Sequence, residues 1–121
     1  MNDQPVLLYV EDEEHIREEM LEILELDFDK VYTAKNGQEG LEIYKKCEPD
    51  LVISDIQMPV MDGLTLSKEI LSIKPDAKII LTSAFNEHSY REQIKEMGIT
   101  AYISKPVNIH ELFEQVNLAL T

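Results

Sequence analysis

The sequence has one cysteine, no tryptophan and no long apolar segment. Cys47 alone excludes an internal disulfide and a zinc site made of cysteines. The longest apolar runs hold five or six residues, far fewer than the roughly 20 that a membrane-spanning helix requires. The first residues, Met1 to Pro5, are polar or acidic and carry no signal-peptide pattern. These absences predict a cytoplasmic protein that does not enter a membrane.

Basic residues are also scarce. Lysine and arginine number 11 against 24 aspartates and glutamates, which gives a net charge of −13. A field of that sign repels nucleic-acid phosphates and anionic lipids, so we expect no direct binding to either. It favours a divalent cation or a basic protein partner. The length of 121 residues and a hydrophobic content of 44% predict one globular domain over residues 1–121.

Short apolar runs alternate with longer amphipathic segments along the whole chain. The runs predict five strands, at 6–10, 30–33, 51–54, 78–82 and 101–104. The amphipathic segments predict five helices, at 13–26, 38–47, 64–73, 86–97 and 108–120, with Asp12 and Asn86 as N-caps of the first and the fourth. Strict β–α alternation predicts an α/β fold with a parallel sheet covered by helices on both faces.

Polar side chains follow four of the predicted strands. Glu11 and Asp12 come after the first strand, Asp55 after the third, Ser83 after the fourth and Lys105 after the fifth. In doubly wound sheets, ligands bind outside the carboxyl ends of the strands. We therefore expect these five side chains to meet in one crevice.

The chemistry of this set points to phosphoryl transfer. Three clustered carboxylates repel one another unless a cation intervenes, and oxygen ligands with open positions suit Mg²⁺. Asp55 is then the nucleophile, because carboxylates form aspartyl phosphates, and Lys105 and Ser83 bind the phosphoryl oxygens. The alternative for Glu11 and Asp12 is that they only complement the start of the first helix.

Four segments, taken together and in order, give the chain a family resemblance. They are Val10-Glu-Asp-Glu13, Asp55-Ile-Gln-Met-Pro-Val-Met-Asp-Gly63, Leu81-Thr-Ser-Ala84 and Tyr102-Ile-Ser-Lys-Pro106. In these segments the chain resembles the receiver domain of two-component response regulators, in particular chemotaxis regulators. The resemblance runs from Val6 to Leu120. It implies a flavodoxin-like doubly wound (βα)5 fold with strand order 2-1-3-4-5.

The resemblance also implies a role for each residue of the crevice. Asp55 is the phosphoacceptor, and Mg²⁺ is held by Glu11, Asp12, Asp55 and the backbone carbonyl of Gln57. Lys105 binds the phosphoryl group.

Two further residues are implied to report the phosphorylated state. Ser83 is the switch hydroxyl, although Thr82 competes for that role, and Tyr102 is the switch aromatic. Gln57 and Phe85 occupy the variable positions that tune dephosphorylation in such proteins.

The implied phosphoryl donor is a histidine kinase or a histidine phosphotransfer protein. The output partner should bind the surface formed by the fourth helix, the fifth strand and the fifth helix. His88 and Tyr90 belong either to that partner surface or to an ordinary solvated helix face. We expect His15 and His110 to be capping or surface residues, and Met58 and Met61 to serve in packing or docking.

Two other functions compete with the phosphoacceptor interpretation. A phosphatase of the haloacid dehalogenase type needs a second acid two residues after its nucleophile, and Gln57 stands there instead. A phosphorylation-independent interaction module on the same fold is the stronger alternative, although the complete acid, hydroxyl and lysine set argues against it. The missing GK[ST] segment excludes a P-loop nucleotide binder.

The sequence leaves the output open. The chain stops at Thr121, after the last predicted helix, and that helix lacks a run of arginines near its end. We expect a single-domain protein or a regulator without a winged helix, and both a stand-alone receiver and a piece of a larger protein fit. The cognate kinase, the oligomeric state, the phosphoryl lifetime and the isomer of the Lys105–Pro106 bond are not encoded in any pattern we recognise.

Overall fold

Five strands and five helices alternate along the chain. The computed structural model describes residues 4–83 and 88–121, the side chains of residues 88–91 excepted. The strands are β1 (Val6–Val10), β2 (Lys30–Ala34), β3 (Leu51–Asp55), β4 (Ile79–Ser83) and β5 (Ala101–Ser104). The helices are α1 (Glu14–Leu24), α2 (Gly37–Cys47), α3 (Gly63–Ile73), α4 (His88–Met97) and α5 (Ile109–Leu120).

The strands form one parallel sheet in the order β2-β1-β3-β4-β5. This confirms the doubly wound (βα)5 prediction. β1 and β3 are neighbours, with Val10 opposite Ser54, and β3 is followed by β4, with Asp55 opposite Thr82. The carboxyl ends of β1, β3 and β4 therefore lie side by side, where ligands bind in this architecture.

The apolar side chains of the sheet divide between its two faces. One cluster contains Leu8, Val52 and Leu81 together with α2 and α3 residues such as Leu41 and Ile70. The other contains Leu7, Ile53 and Ile80 together with α1 and α5 residues such as Leu24 and Val116. Successive strand residues point to opposite faces, so a continuous apolar strand supplies both layers of core.

The α2, α3 and α5 helices begin at side-chain caps. Asn36, Asp62 and Asn108 each have extended backbone, and each accepts a hydrogen bond from the amide three residues later, at 2.8, 2.8 and 2.9 Å. Such caps satisfy amides that have no partner within the helix. Asn86, predicted to cap α4, lies outside the described residues.

The predicted bounds of the first helix were wrong at both ends. The N-cap is Glu13, whose carboxylate accepts from the His15 amide at 3.0 Å, so Asp12 does not cap the helix. The helix ends at Leu24 because the chain turns to bury Phe28, whose amide bonds to the Leu24 carbonyl at 2.9 Å. Leu26 is left 82% exposed.

Several other expectations can be compared with the structure. Met58 and Met61 are half-buried and pack against the Leu81 cluster, which supports a packing role. His15 and His110 are exposed, as predicted. Ile16, near the start of α1, is 38% exposed. Among the described residues, none of the helices has the length and apolar character needed to span a bilayer.

Candidate functional site

Three carboxylates converge at the carboxyl end of the sheet. Glu11, Asp12 and Asp55 each offer an oxygen, and these oxygens lie within 4.8 Å of one another. Glu11 and Asp12 follow β1, and Asp55 ends the neighbouring β3. Glu11 is only 1% exposed and Asp55 6%, whereas Asp12 is exposed. The strand order alone therefore gathers acids that are more than forty residues apart in sequence.

Lys105, which directly follows the edge strand β5, contacts this acidic cluster. Its Nζ lies 3.1 Å from Asp55 Oδ2 and 3.3 Å from Glu11 Oε1, and the side chain is 21% exposed. These are the two salt bridges within the part of the chain that the structure describes. The Lys105 amide donates to the Ser83 carbonyl at 2.7 Å, which fixes the start of the β5–α5 loop against β4. The Lys105–Pro106 bond is cis.

Burial and charge act in opposite directions on these groups. Burial raises the pKa of the Asp55 carboxyl, and Lys105 only partly offsets this effect. Burial likewise raises the pKa of Glu11, against the Glu13 amide and Lys105, which lower it. Burial lowers the pKa of Lys105, but Asp55 and Glu11 outweigh it and the net direction is upward. Lys105 therefore stays charged, and one ammonium does not fully compensate two buried carboxylates.

The donor set suits a hard divalent cation. All three side chains offer carboxylate oxygens, the ligands that Mg²⁺ prefers, and a second positive charge would relieve the remaining repulsion. Asp12 is exposed, so water can complete the shell, as Mg²⁺ usually requires. Gln57 is exposed two positions after Asp55, and the metal-ligand role of its carbonyl stays a prediction.

Gly63 allows the loop after Asp55 to fold back closely. Its amide donates to the Ile56 carbonyl at 2.7 Å. A Cβ atom at this position would overlap the Asp55 carbonyl oxygen and lie 2.9 Å from the Ile56 Cα. Both obstacles are backbone atoms, so a side chain here would displace the segment that carries the Asp55 carboxylate.

The predicted switch residues lie on neighbouring strands. Ser83 is 0% exposed at the end of β4, and Thr82, its predicted alternative, is 4% exposed. Leu81 lies opposite Tyr102 in the β4–β5 register, and alternation puts Ser83 on the Leu81 side of the sheet. Tyr102 is half-buried against the same cluster. Ser83 and Tyr102 thus share a face, which Thr82 does not. Phe85 lies outside the described residues.

Two residues near the cluster were not singled out from the sequence. Arg17 Nη1 donates to the Glu11 carbonyl at 2.8 Å. Tyr9 is 4% exposed, and burial together with the charge of Glu11 raises the pKa of its hydroxyl. Arg17 is the one lysine or arginine among the many acids between residues 11 and 29, and Tyr9 is two residues before Glu11 on a strand. Both features are visible in the sequence, but neither specifies a contact.

Comparison with known proteins identifies relatives of the chain. Residues 7–117 match the family model described as response regulator receiver domain. The chain is 34% identical to the chemotaxis protein CheY of Halobacterium salinarum over 115 residues, which cover 95% of this chain and 96% of that protein. It is 37% identical to CheY of Bacillus subtilis over 115 residues, or 94% and 96% of the two chains.

A longer relative and a solved structure extend the comparison. The chain is 37% identical to the transcriptional regulatory protein PdtaR of Mycobacterium tuberculosis, of which it spans 56%. A CheY-like response regulator receiver domain protein from Methanospirillum hungatei superimposes with a TM-score of 0.90 at 28% identity, over 96% of this chain and 93% of that one.

Proposed function

The chain belongs to the response regulator receiver domains, and from this premise we propose that it is a phosphoacceptor switch that is phosphorylated on Asp55. A regulatory domain of this family need not act on a metabolite. The proposed chemistry is confined to its own aspartate, which it helps to phosphorylate and dephosphorylate.

The observation that carries the proposal is the shared ammonium of Lys105. It lies 3.1 Å from Asp55 and 3.3 Å from Glu11, at the edge of a cluster that is rich in negative charge. One ammonium balances the charge of only one carboxylate. Here the surplus carboxylate provides a nucleophile, and the lysine is already beside the oxygen that the phosphoryl group would join.

The proposed step is an in-line displacement at phosphorus. An oxygen of the Asp55 carboxylate forms a bond to phosphorus, and the bond from phosphorus to a nitrogen of the donor's phosphohistidine breaks. The electron pair of that bond returns to the imidazole, which takes a proton from water. Asp55 needs no base, because carboxylates are ionised at neutral pH unless strongly perturbed. Lys105 then stabilises the three phosphoryl oxygens electrostatically.

Glu11, Asp12, Asp55 and the predicted Gln57 carbonyl would hold Mg²⁺ at this site. When bound, the ion neutralises charge on the transferring group and on the carboxylates. The exposure of Asp12 leaves the cation side of the site open to water and to a donor.

Readout of the phosphorylated state is proposed to pass through Ser83 and Tyr102. A phosphoryl group adds roughly −1.5 to −2 charge and three acceptor oxygens, by analogy with other phosphorylated side chains. Ser83 moves towards these oxygens, and Tyr102 turns into the space beside β4. A shift from 1:99 to 99:1 requires about 5.5 kcal/mol of differential stabilisation, which several charge-assisted hydrogen bonds can supply. The affected surface is α4, β5 and α5.

The proposed donor is a histidine kinase or a histidine phosphotransfer protein, with a small acyl phosphate as a substitute in vitro. The output partner is unassigned, and direct binding of nucleic acid or membrane by this domain is not expected at a net charge of −13. The cytoplasmic location and the single domain over residues 1–121 stay predictions.

The mass of the intact protein after incubation with acetyl phosphate and Mg²⁺ tests the proposal. We expect one phosphoryl adduct on the wild type and none on Asp55→Asn, whose circular dichroism should show the same fold. Absence of an adduct on a folded wild type, with no response to beryllofluoride, would favour the phosphorylation-independent interaction module instead. An adduct on Asp55→Asn would contradict the assignment of the acceptor.

A further inference from the structure

Arg17 donates a hydrogen bond to a main-chain carbonyl, although several carboxylates are its neighbours in sequence. It belongs to α1, where Glu14, Glu18 and Glu19 are neighbours in sequence, yet its guanidinium bonds to the main-chain carbonyl of Glu11 at 2.8 Å. No salt bridge of Arg17 occurs in the described ranges 4–83 and 92–121. An arginine that prefers a carbonyl to nearby carboxylates is fixed by geometry, and it ties the helix to the loop that carries Glu11.

Tyr9 approaches the same residue from the sheet. Tyr9 and Glu11 are two positions apart in an extended segment, so their side chains point to the same side. Tyr9 is 4% exposed, and a cavity of about 310 Å³ is lined by Tyr9 and Lys105 together with α1 residues. Burial raises the pKa of the Tyr9 hydroxyl, and Glu11, Asp55 and the side-chain interaction with Glu11 raise it further, whereas Arg17 lowers it. The buried position of Tyr9, two residues before Glu11 on an extended segment, therefore places its side chain on the Glu11 side of the sheet.

Glu11 thus has supports that do not involve Lys105. Lys105 holds Oε1 at 3.3 Å, while the Glu13 amide donates to Oε2 at 3.2 Å. When Lys105 binds an incoming anion, its bond to Glu11 is lost or weakened, and the other supports remain.

We propose that Arg17 and Tyr9 are positioning residues that keep Glu11 in its metal-binding place independently of Lys105. This inference rests on the proposed function, because it takes Glu11 as a ligand of Mg²⁺. Arg17 acts through the main chain of Glu11, and Tyr9 acts through its carboxylate.

Substitution of Arg17 separates positioning from simple charge. If Arg17 acted only as a nearby cation, Arg17→Ala would strengthen Mg²⁺ binding, because a repulsive charge is removed. If Arg17 positions Glu11, the same change weakens binding, and residues that orient metal ligands typically contribute about tenfold or more in affinity. Lys46→Ala is the matched control, since Lys46 is an exposed base on α2 and the net charge changes equally.

Substitution of Tyr9 tests the inferred contact between its hydroxyl and the Glu11 carboxylate without any change of charge. We expect Tyr9→Phe to raise the Mg²⁺ dissociation constant by about two- to tenfold, the range that one hydrogen bond provides. Tyr44→Phe is the matched control, because Tyr44 is 3% exposed and lies in the core on α2 and not at the site. A general effect of losing a buried hydroxyl would appear equally in both variants.

The exchange rate of the Glu13 amide gives a second readout that requires neither metal nor phosphoryl group. Because this amide donates to Glu11 Oε2, displacement of the carboxylate should accelerate its hydrogen exchange in metal-free Tyr9→Phe but not in Tyr44→Phe. Isothermal titration with MgCl₂ supplies the affinities. Weaker Mg²⁺ binding in both site variants, with faster Glu13 exchange in Tyr9→Phe, supports the inference.

Binding of Mg²⁺ by Arg17→Ala that equals or exceeds that of the wild type overturns the inference, and so does an unchanged Glu13 exchange rate in Tyr9→Phe. If the wild type itself does not bind Mg²⁺, the proposed magnesium site fails, and the Glu13 exchange rate alone still decides whether Tyr9 positions Glu11.

Discussion

Asp55→Asn should make the metal-free protein more stable, although it abolishes the proposed phosphorylation. The carboxylate is 6% exposed, so its charge has lost most of its hydration. Asparagine keeps the shape and the ability to accept a hydrogen bond from Lys105, but it removes the buried charge. The expected gain follows from comparing the forces on that charge.

The attractive and repulsive charges around Asp55 nearly balance. With an effective dielectric constant near 20, the Lys105 ammonium at 3.1 Å attracts Asp55 by about 5 kcal/mol. At the 4.8 Å that bounds the acidic cluster, Glu11 repels it by about 3.5 kcal/mol. Asp12 adds a smaller repulsion, because it is exposed and its field is screened by water. The net attraction on the Asp55 charge is therefore smaller than its desolvation penalty, which is several kcal/mol for a buried ion.

We expect the free energy of unfolding of Asp55→Asn to exceed that of the wild type by about 1 kcal/mol or more at neutral pH, the sign that a raised carboxyl pKa requires. For a domain of this size that corresponds to a rise of about 3–5 °C in Tm. Urea unfolding in EDTA measures it, with Asp29→Asn, at an exposed carboxylate, as a control expected to stay within about 0.5 kcal/mol. Equal or lower stability of Asp55→Asn would refute the reasoning.

The difference in the free energy of unfolding between Asp55→Asn and the wild type should change with pH in a defined direction. Burial raises the pKa of Asp55 above its ordinary value, so the folded wild type binds a proton at a pH where the unfolded chain does not. The penalty on the wild type is present above the folded pKa and disappears as the pH falls through it. The stability advantage of Asp55→Asn should shrink over that range. Mg²⁺ should also reduce the stability advantage of Asp55→Asn, because a ligand at one hundred times its Kd stabilises the wild type by about 2.7 kcal/mol.

Two further substitutions test the geometry around Asp55. Gly63→Ala should cost about 1–3 kcal/mol through overpacking against backbone and should slow phosphorylation by acetyl phosphate. Gly98→Ala, where φ is +79° and nothing lies within 4 Å of the new Cβ, should cost about 1 kcal/mol and leave the phosphorylation rate unchanged. Equal phosphorylation rates in both variants would contradict the role of Gly63. Asp12→Ala should weaken Mg²⁺ binding by about tenfold or more, as measured by calorimetry, because a carboxylate ligand is lost. Unchanged Mg²⁺ affinity would show that Asp12 is not a ligand and that the metal site lies elsewhere.

The position of the site could be predicted because it depends on topology. Once the alternation of strands and helices was recognised, Glu11, Asp55 and Lys105 had to lie at the carboxyl edge of one parallel sheet, and the structure places the Lys105 ammonium within contact of both carboxylates. The order of the strands came from the family resemblance, because β–α alternation alone is compatible with several orders.

Side-chain geometry limited the remaining predictions. Residue type favours Asp12 as the cap of the first helix, but the extended backbone at Glu13 and the bond from the His15 amide to its carboxylate place the cap there. The sharing of Lys105 between two carboxylates, and the bond from Arg17 to a main-chain carbonyl, depend on which rotamers reach which atoms. A sequence pattern specifies the face of an element but not such contacts. The switch roles of Ser83 and Tyr102 stay predictions, because they concern a change between two states.

Chemical trapping of the acyl phosphate tests the central claim most directly. The protein is incubated with acetyl phosphate and Mg²⁺, reduced with borohydride, digested and analysed by mass spectrometry. Borohydride converts an aspartyl phosphate to homoserine, so we predict homoserine at position 55 of the wild type and at no other aspartate. Homoserine at a different aspartate, or none in a folded protein that binds Mg²⁺, would contradict the assignment of Asp55 as the phosphoacceptor.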